Sequence, residues 1–220
     1  MPAAVEPTGE SVFTAAEVPA ILRLARVRDH RLVTKRDVDK LIDQHIVPRP
    51  YAFVKNSKRW LRTRAIHVAA AEFDLRRELP IPAVRHQGLR DYLRFGMSEL
   101  WVSDNVRINL KGSIGRVDTA IQRYKRLMGM IVVDPNVQRG EPVIRGTRIT
   151  VHTIAEIARQ GAGTDEILRD YPALDAEKIE AACLYADAHP RRGRPALPKG
   201  STEVLRISVD DVDRRWSERR

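Results

Sequence analysis

Cysteine occurs once in this chain of 220 residues, at Cys183. An intramolecular disulfide framework is therefore excluded, and a lone thiol fits a reducing compartment. Aromatic residues make up only 5%, and no run reaches the roughly 18–20 apolar residues needed to span a bilayer. The opening MPAAVEPTGE is acidic and has no apolar stretch of the signal-peptide kind. A cytoplasmic protein without membrane segments is expected. Histidines stand at positions 30, 45, 67, 86, 152 and 189, without an HExxH motif or an i, i+4 pair, and there is no CxxC. Zinc-type spacing is thus missing. The acidic pair Asp210-Asp211 sits in a tail that offers nothing to hold it rigid. No catalytic residue, metal or cofactor is expected.

Positive charge is what the chain has in excess. Lys and Arg number 39 against 29 Asp and Glu, a formal charge of +10. Between Ile21 and Arg64 there are 13 basic and 4 acidic residues; between Asp134 and His189, 6 basic and 10 acidic; from Pro190 onward, 9 basic and 5 acidic. A polyanionic partner for the early segment accounts for this, and so does an Arg-rich proteome.

Local signals divide the chain. Residues 1–11 read as disordered. Thr14 and Glu17 form a capping box, with Phe13 and Val18 as its hydrophobic staple. Pro19 would then sit where it costs a hydrogen bond, so this helix is kinked or begins later. After the basic loop RVRDHR, Thr34 caps a second helix with Asp37 at its third position. Val38, Leu41, Ile42 and His45 mark its buried face, and IVPRP ends it. YAFVKNSKRWL predicts a hairpin turning at Lys55-Asn56-Ser57-Lys58. Helices are expected over about 64–79 and 82–95, one or two strands over 100–110, and a helix over 114–127. A second unit opens with the strand Ile131-Val132-Val133. Val143-Ile144 and Ile149-Thr150-Val151 flank Arg145-Gly146-Thr147-Arg148 as a hairpin. Helices follow from about 151, from Thr164, and from Asp175, the last with Leu174 and Ile179 as its staple.

Four sites are worth weighing. Two short capped helices and a basic hairpin match a winged helix-turn-helix, in which a helix enters the major groove and cations displace phosphate counterions. Lys35, Arg36 and Lys40 would face the groove, with Lys58, Arg59 and Arg62 as hairpin or phosphate contacts; a solvated helical pair explains the same pattern. Arg145 and Arg148 around Gly146 suit either an anion or a tight hairpin whose arginines pair with nearby acids. Cys183 shares a stripe with Ile179, Ala182 and Ala186 and reads as core. Around VLRISV in the tail, arginines either decorate a disordered end or fold onto a partner.

Residues 130–190 resemble the family numbered four-three-three among domains of unknown function. The likeness rests on Asp134-Pro135, Gly140-x-Pro142, the Val143–Ile149 stretch, Glu166-Ile167-Leu168-x-x-Tyr171-Pro172 and the Leu174–Ala181 helix. The whole chain resembles a VapB-type antitoxin with a DNA-binding domain in front of that unit. The resemblance implies a type II toxin–antitoxin protein that inhibits a PIN-like ribonuclease toxin, represses its own operator and dimerises. The implied fold is mostly α with short β-hairpins: a winged helix-turn-helix-like domain over 12–95, a connecting strand and helix over 96–130, a tri-helical dimerisation domain over 131–189, and a toxin-binding tail over 190–220. Arg206, Arg214 and Arg215 are the tail residues expected to enter the toxin's carboxylate cluster as ion pairs. A stand-alone transcription regulator without a toxin is the alternative; a nuclease is the more distant one.

Overall fold

A computed structural model describes residues 10–27, 32–76, 78–103 and 106–191. Arg206, Arg214 and Arg215 lie outside these residues, as do positions 1–9 and 28–31. Among the described residues the fold is mostly helical with short antiparallel hairpins. The chain up to Pro190 forms one compact unit.

The first elements are β1 (Val12–Thr14), α1 (Val18–Leu24), α2 (Lys35–Asp43), β2 (Ala52–Lys55) and β3 (Lys58–Arg62). The three strands form an antiparallel sheet in the order β1-β3-β2. Phe13 was expected to staple a helix start. It lies in β1 instead, opposite Leu61. The Thr14–Glu17 pairing exists, since Glu17 Oε2 accepts from both the backbone and the hydroxyl of Thr14 at 2.7 Å. It closes the strand-to-helix corner, and α1 begins only at Val18. Pro19 therefore falls in the first turn, where its missing N–H costs nothing. The late start removes the conflict visible in the sequence.

Residues 10 and 11 correct the expectation of disorder. Glu10 pairs with Arg64 at 3.1 Å, and the Ser11 carbonyl accepts from the Thr63 amide at 3.1 Å. These bonds extend the β1 edge onto the start of the next helix.

Helix α3 (Thr63–Leu75) is buried on nearly every side, as its Ala-Ile-Val-Phe composition demands. Around it pack α1, α4 (Pro82–Phe95) and α5 (Lys111–Met128), with β4 (Glu99–Ser103) and β5 (Val106–Asn109) between the last two in sequence. Pro82 opens α4, and Gly96 closes it at φ 74°, a left-handed cap that a side chain would resist. Gly88 on α4 has no Cβ because Leu100 of β4 occupies that space. The sequence predicts a connecting strand and helix over residues 96–130. They are instead built into this body: Leu100, Leu110, Val117, Ile121, Tyr124 and Leu127 all belong to the main core.

The remaining elements are β6 (Ile131–Val132), β7 (Val143–Ile144), α6 (Val151–Arg159), α7 (Thr164–Asp170) and α8 (Ala176–Ala188). The expected second arm of the Arg145–Arg148 hairpin is reduced to a single bridge between Val143 and Thr150, because Val151 already begins α6. β7 pairs with β6 instead. A second hydrophobic cluster, built on Ile144, Ile154, Ile167 and Ile179, lies under α6–α8. Helix α8 serves both clusters. Ala181 and Leu184 join the main core, while Ile179, Ala182 and Ala186 join the second. Its alanines allow close approach on either side.

Candidate nucleic-acid interface

Helix α2 is the best-specified element of the basic segment. Thr34 and Asp37 close a reciprocal capping box: the Asp37 carboxylate accepts from the Thr34 amide at 3.0 Å, and the Thr34 hydroxyl accepts from the Asp37 amide. Val38 and Leu41 are fully buried against the core. Burial there turns Lys35, Arg36 and Lys40 outward, and all three are exposed. His45 departs from the predicted stripe. It is exposed at φ 56°, because α2 ends at Asp43 and the chain turns through a left-handed step.

The hairpin follows its period of two. Asn56 and Ser57 both adopt positive φ (50° and 57°), the primed-turn geometry that suits a two-residue connection. Ala52 lies opposite Leu61, and Val54 opposite Arg59. Alternation therefore places Arg59 on the inward face with Leu61, and Lys58, Trp60 and Arg62 on the outward face. The outward set is basic and aromatic. Arg62 stacks on Phe53 with 5.5 Å to the ring centroid, and its Nε donates to the Pro50 carbonyl at 3.2 Å. Lys55 and Lys58 face each other at the tip, a like-charge cross-strand pair that opposes hairpin stability in the absence of an anion.

The six cations singled out in the sequence thus have different fates. Lys35 Nζ meets Asp39 Oδ2 at 2.6 Å. Arg59 Nη2 meets Asp43 Oδ1 at 2.8 Å, and Nη1 meets Asp39 Oδ1 at 3.3 Å. The hydrogen bond that Arg59 donates to Asp43 raises the Arg59 pKa above its ordinary value. Arg62 is held by the hairpin. Arg36, Lys40 and Lys58 have no partner among the described residues. Sequence reasoning missed the carboxylates Asp39 and Asp43, whose i, i+4 spacing was the available signal, and it missed the exposed Lys55.

Other candidates resolve differently. Among the described residues the Arg145 guanidinium meets no acid; its Nε donates to the Gly129 carbonyl at 2.9 Å, at the C-terminal end of α5, where a cation complements the helix dipole. Gly146 takes φ 78° and supplies the expected tight turn. Cys183 is partly buried against the second core, and burial raises its pKa away from the reactive thiolate. The buried His67 bridges Tyr92 Oη at 2.6 Å and Asp118 Oδ1 at 2.8 Å, where α3, α4 and α5 meet. Among the described residues no three His, Cys, Asp or Glu side chains cluster in a way that would hold a metal ion. No helix among them is long and apolar enough to cross a membrane.

Residues 131–186 match the family model described as "Protein of unknown function (DUF433)", which bears out the resemblance of that segment. The uncharacterised protein y4eO of Sinorhizobium fredii is 28% identical over 233 aligned positions, covering 93% of this chain and 98% of that one. The crystal structure of a DUF433 member protein from Anabaena variabilis shares 39% identity over 34% of this chain and 73% of its own, with a TM-score of 0.28.

Proposed function

We propose that this protein binds double-stranded DNA through α2 and the β2–β3 hairpin, arranged as a winged helix-turn-helix, and that it serves as the antitoxin of a type II toxin–antitoxin pair. The Lys55–Lys58 pair carries the DNA reading. Two like charges held opposite one another at an exposed hairpin tip call for a polyanion, and Arg36 and Lys40 are exposed on α2 without a partner among the described residues. α2 suits the major groove, and the hairpin tip suits the adjacent phosphates.

The antitoxin role draws on the resemblance of the whole chain to VapB-type antitoxins. It assigns the tail from residue 190, with Arg206, Arg214 and Arg215, to a PIN-like ribonuclease toxin encoded alongside. Homodimerisation through residues 131–189 belongs to the same reading. It must use surfaces other than the acidic face of α8, which this chain covers itself. The protein acts by binding, without catalysis.

The experiment is a gel-shift titration on the region upstream of the protein's own gene. Replacing Lys35, Arg36 and Lys40 together by Ala abolishes specific retardation; unchanged affinity refutes the DNA face. Co-expression with the neighbouring gene product separates the antitoxin from a stand-alone regulator, which captures no nuclease.

A further inference from the structure

We infer that Arg59 is a positioning residue that sets the spacing between α2 and the hairpin, and that it makes no phosphate contact; the inference rests on the DNA-binding reading above. Its strand is anchored first. The Arg59 carbonyl accepts from the Ala15 amide at 2.9 Å, and Arg59 faces inward with the fully buried Leu61. The guanidinium then grips the C-terminal half of α2 at three acceptors: Asp43 Oδ1 at 2.8 Å, and the side chain and carbonyl of Asp39 at 3.3 Å each.

Charge explains why these contacts persist. Asp43 is the last residue of α2 and Asp39 lies one turn before it. Two carboxylates near a helix C-terminus are disfavoured by the helix dipole, and Arg59 offsets both. Lys35 takes the remaining Asp39 oxygen, so Lys35, Asp39, Arg59 and Asp43 form a set with no net charge. A phosphate approaching Arg59 would meet the two carboxylates and would have to displace them. Arg36, Lys40 and Lys58 present no such obstacle. The planar fork of Arg spans both carboxylates; a Lys ammonium reaches one of them. What the network fixes is the separation of groove helix and hairpin tip, and a two-point grip on a duplex depends on that separation.

Salt dependence distinguishes the two roles. Each phosphate contact contributes about 0.9 to the slope of log affinity against log salt. The full-length chain is titrated with a fluorescein-labelled duplex from upstream of its own gene and with a random-sequence duplex of equal length. Arg59→Ala and Arg59→Lys are expected to weaken specific binding by roughly tenfold, about the worth of one charge-assisted hydrogen bond, and to leave the salt slope unchanged. Lys58→Ala serves as the contrast and lowers the slope by about 0.9. Asp43→Asn removes a negative charge from the DNA side, yet weakens specific binding and leaves random-duplex binding the same or tighter. In Arg59→Lys, the amides of residues 53–60 exchange faster than in the parent.

A slope loss near one unit in Arg59→Ala makes Arg59 a phosphate contact and overturns the inference, as does tighter specific binding by Asp43→Asn. If the parent protein does not prefer the upstream duplex, the DNA reading fails. The exchange rates of the hairpin then still decide whether Arg59 holds it to α2.

Discussion

Arg126 on α5 donates to Glu177 on α8 at 2.6 Å, and one turn away on each helix Arg123 meets Glu180 at 2.7 Å. Arg23 of α1 adds a third pair with Asp187, at 2.9 Å. The acidic face of the segment that matches DUF433 is thus neutralised by arginines at positions 23, 123 and 126, all N-terminal to that segment.

Packing rather than charge holds α8 in place. These ion pairs are largely exposed, and such pairs contribute about 0–1 kcal/mol each. Leu184 is 4% exposed and sits in the main core. Glu177→Ala and Glu180→Ala are expected to cost less than about 1 kcal/mol in urea unfolding, whereas Leu184→Ala costs roughly 2–4 kcal/mol. The reverse order would place the electrostatic seam first.

His67 makes stability fall in mild acid. Burial lowers its pKa below the ordinary 6.5, although Asp118 works in the opposite direction. The native state favours the neutral ring, so below pH 6.5 the unfolded chain binds the extra proton and stability declines as pH falls. Other groups titrate as well, so the measured quantity is a difference. Between pH 7.5 and 5.5 the urea midpoint of the parent should drop further than that of His67→Gln. Parallel profiles for the two proteins count against a lowered His67.

Glu72 and Arg85 form a buried pair that binds α3 to α4. Arg85 Nε donates to Glu72 Oε2 at 2.6 Å and Nη2 to Oε1 at 2.9 Å; the Arg85 and Glu72 side chains are 6% and 2% exposed. Arg85 also donates to the Leu79 carbonyl. Replacing Arg85 by Met removes both short contacts and leaves the buried carboxylate only Arg76 at 3.3 Å and His86 at 3.4 Å, both on Oε1, so the expected cost is up to about 3 kcal/mol. Adding Glu72→Met to that variant restores part of the loss. A double-mutant cycle with no coupling would contradict the pairing.

On the proposed antitoxin reading, removing the tail is expected to spare the fold and to cost toxin inhibition. A chain ending at Pro190 keeps the whole compact unit. It is expected to unfold with the parent's thermal midpoint and to retain DNA affinity, but to leave the co-purified nuclease active. Full inhibition by the shortened chain would remove the tail from the proposal.

Several features were legible because their partners are near in sequence. Thr34 and Asp37 are three residues apart, and their capping box formed as read. The Asn56-Ser57 turn and the Asp175 cap also formed as read. β1 was missed because its three residues become a strand only against β3, which lies far along the chain. His45 was misplaced because the helical period was carried past the end of the helix. The His67 bridge and the Glu72–Arg85 pair join residues 51, 25 and 13 positions apart, beyond any local pattern.

By itself the sequence determined where charge concentrates, where helices and turns begin, and that α2 turns its cations outward, since each of these depends on residues within a turn or two. Tertiary structure alone decided which of those cations stay unpaired. Arg59 is neutralised by Asp39 from 20 positions away, and the acids of α8 by arginines more than 50 positions away. An ion pair or a hydrogen bond acts over a few ångströms of space, whatever length of chain separates its partners, so its formation waits on the packing that brings them together.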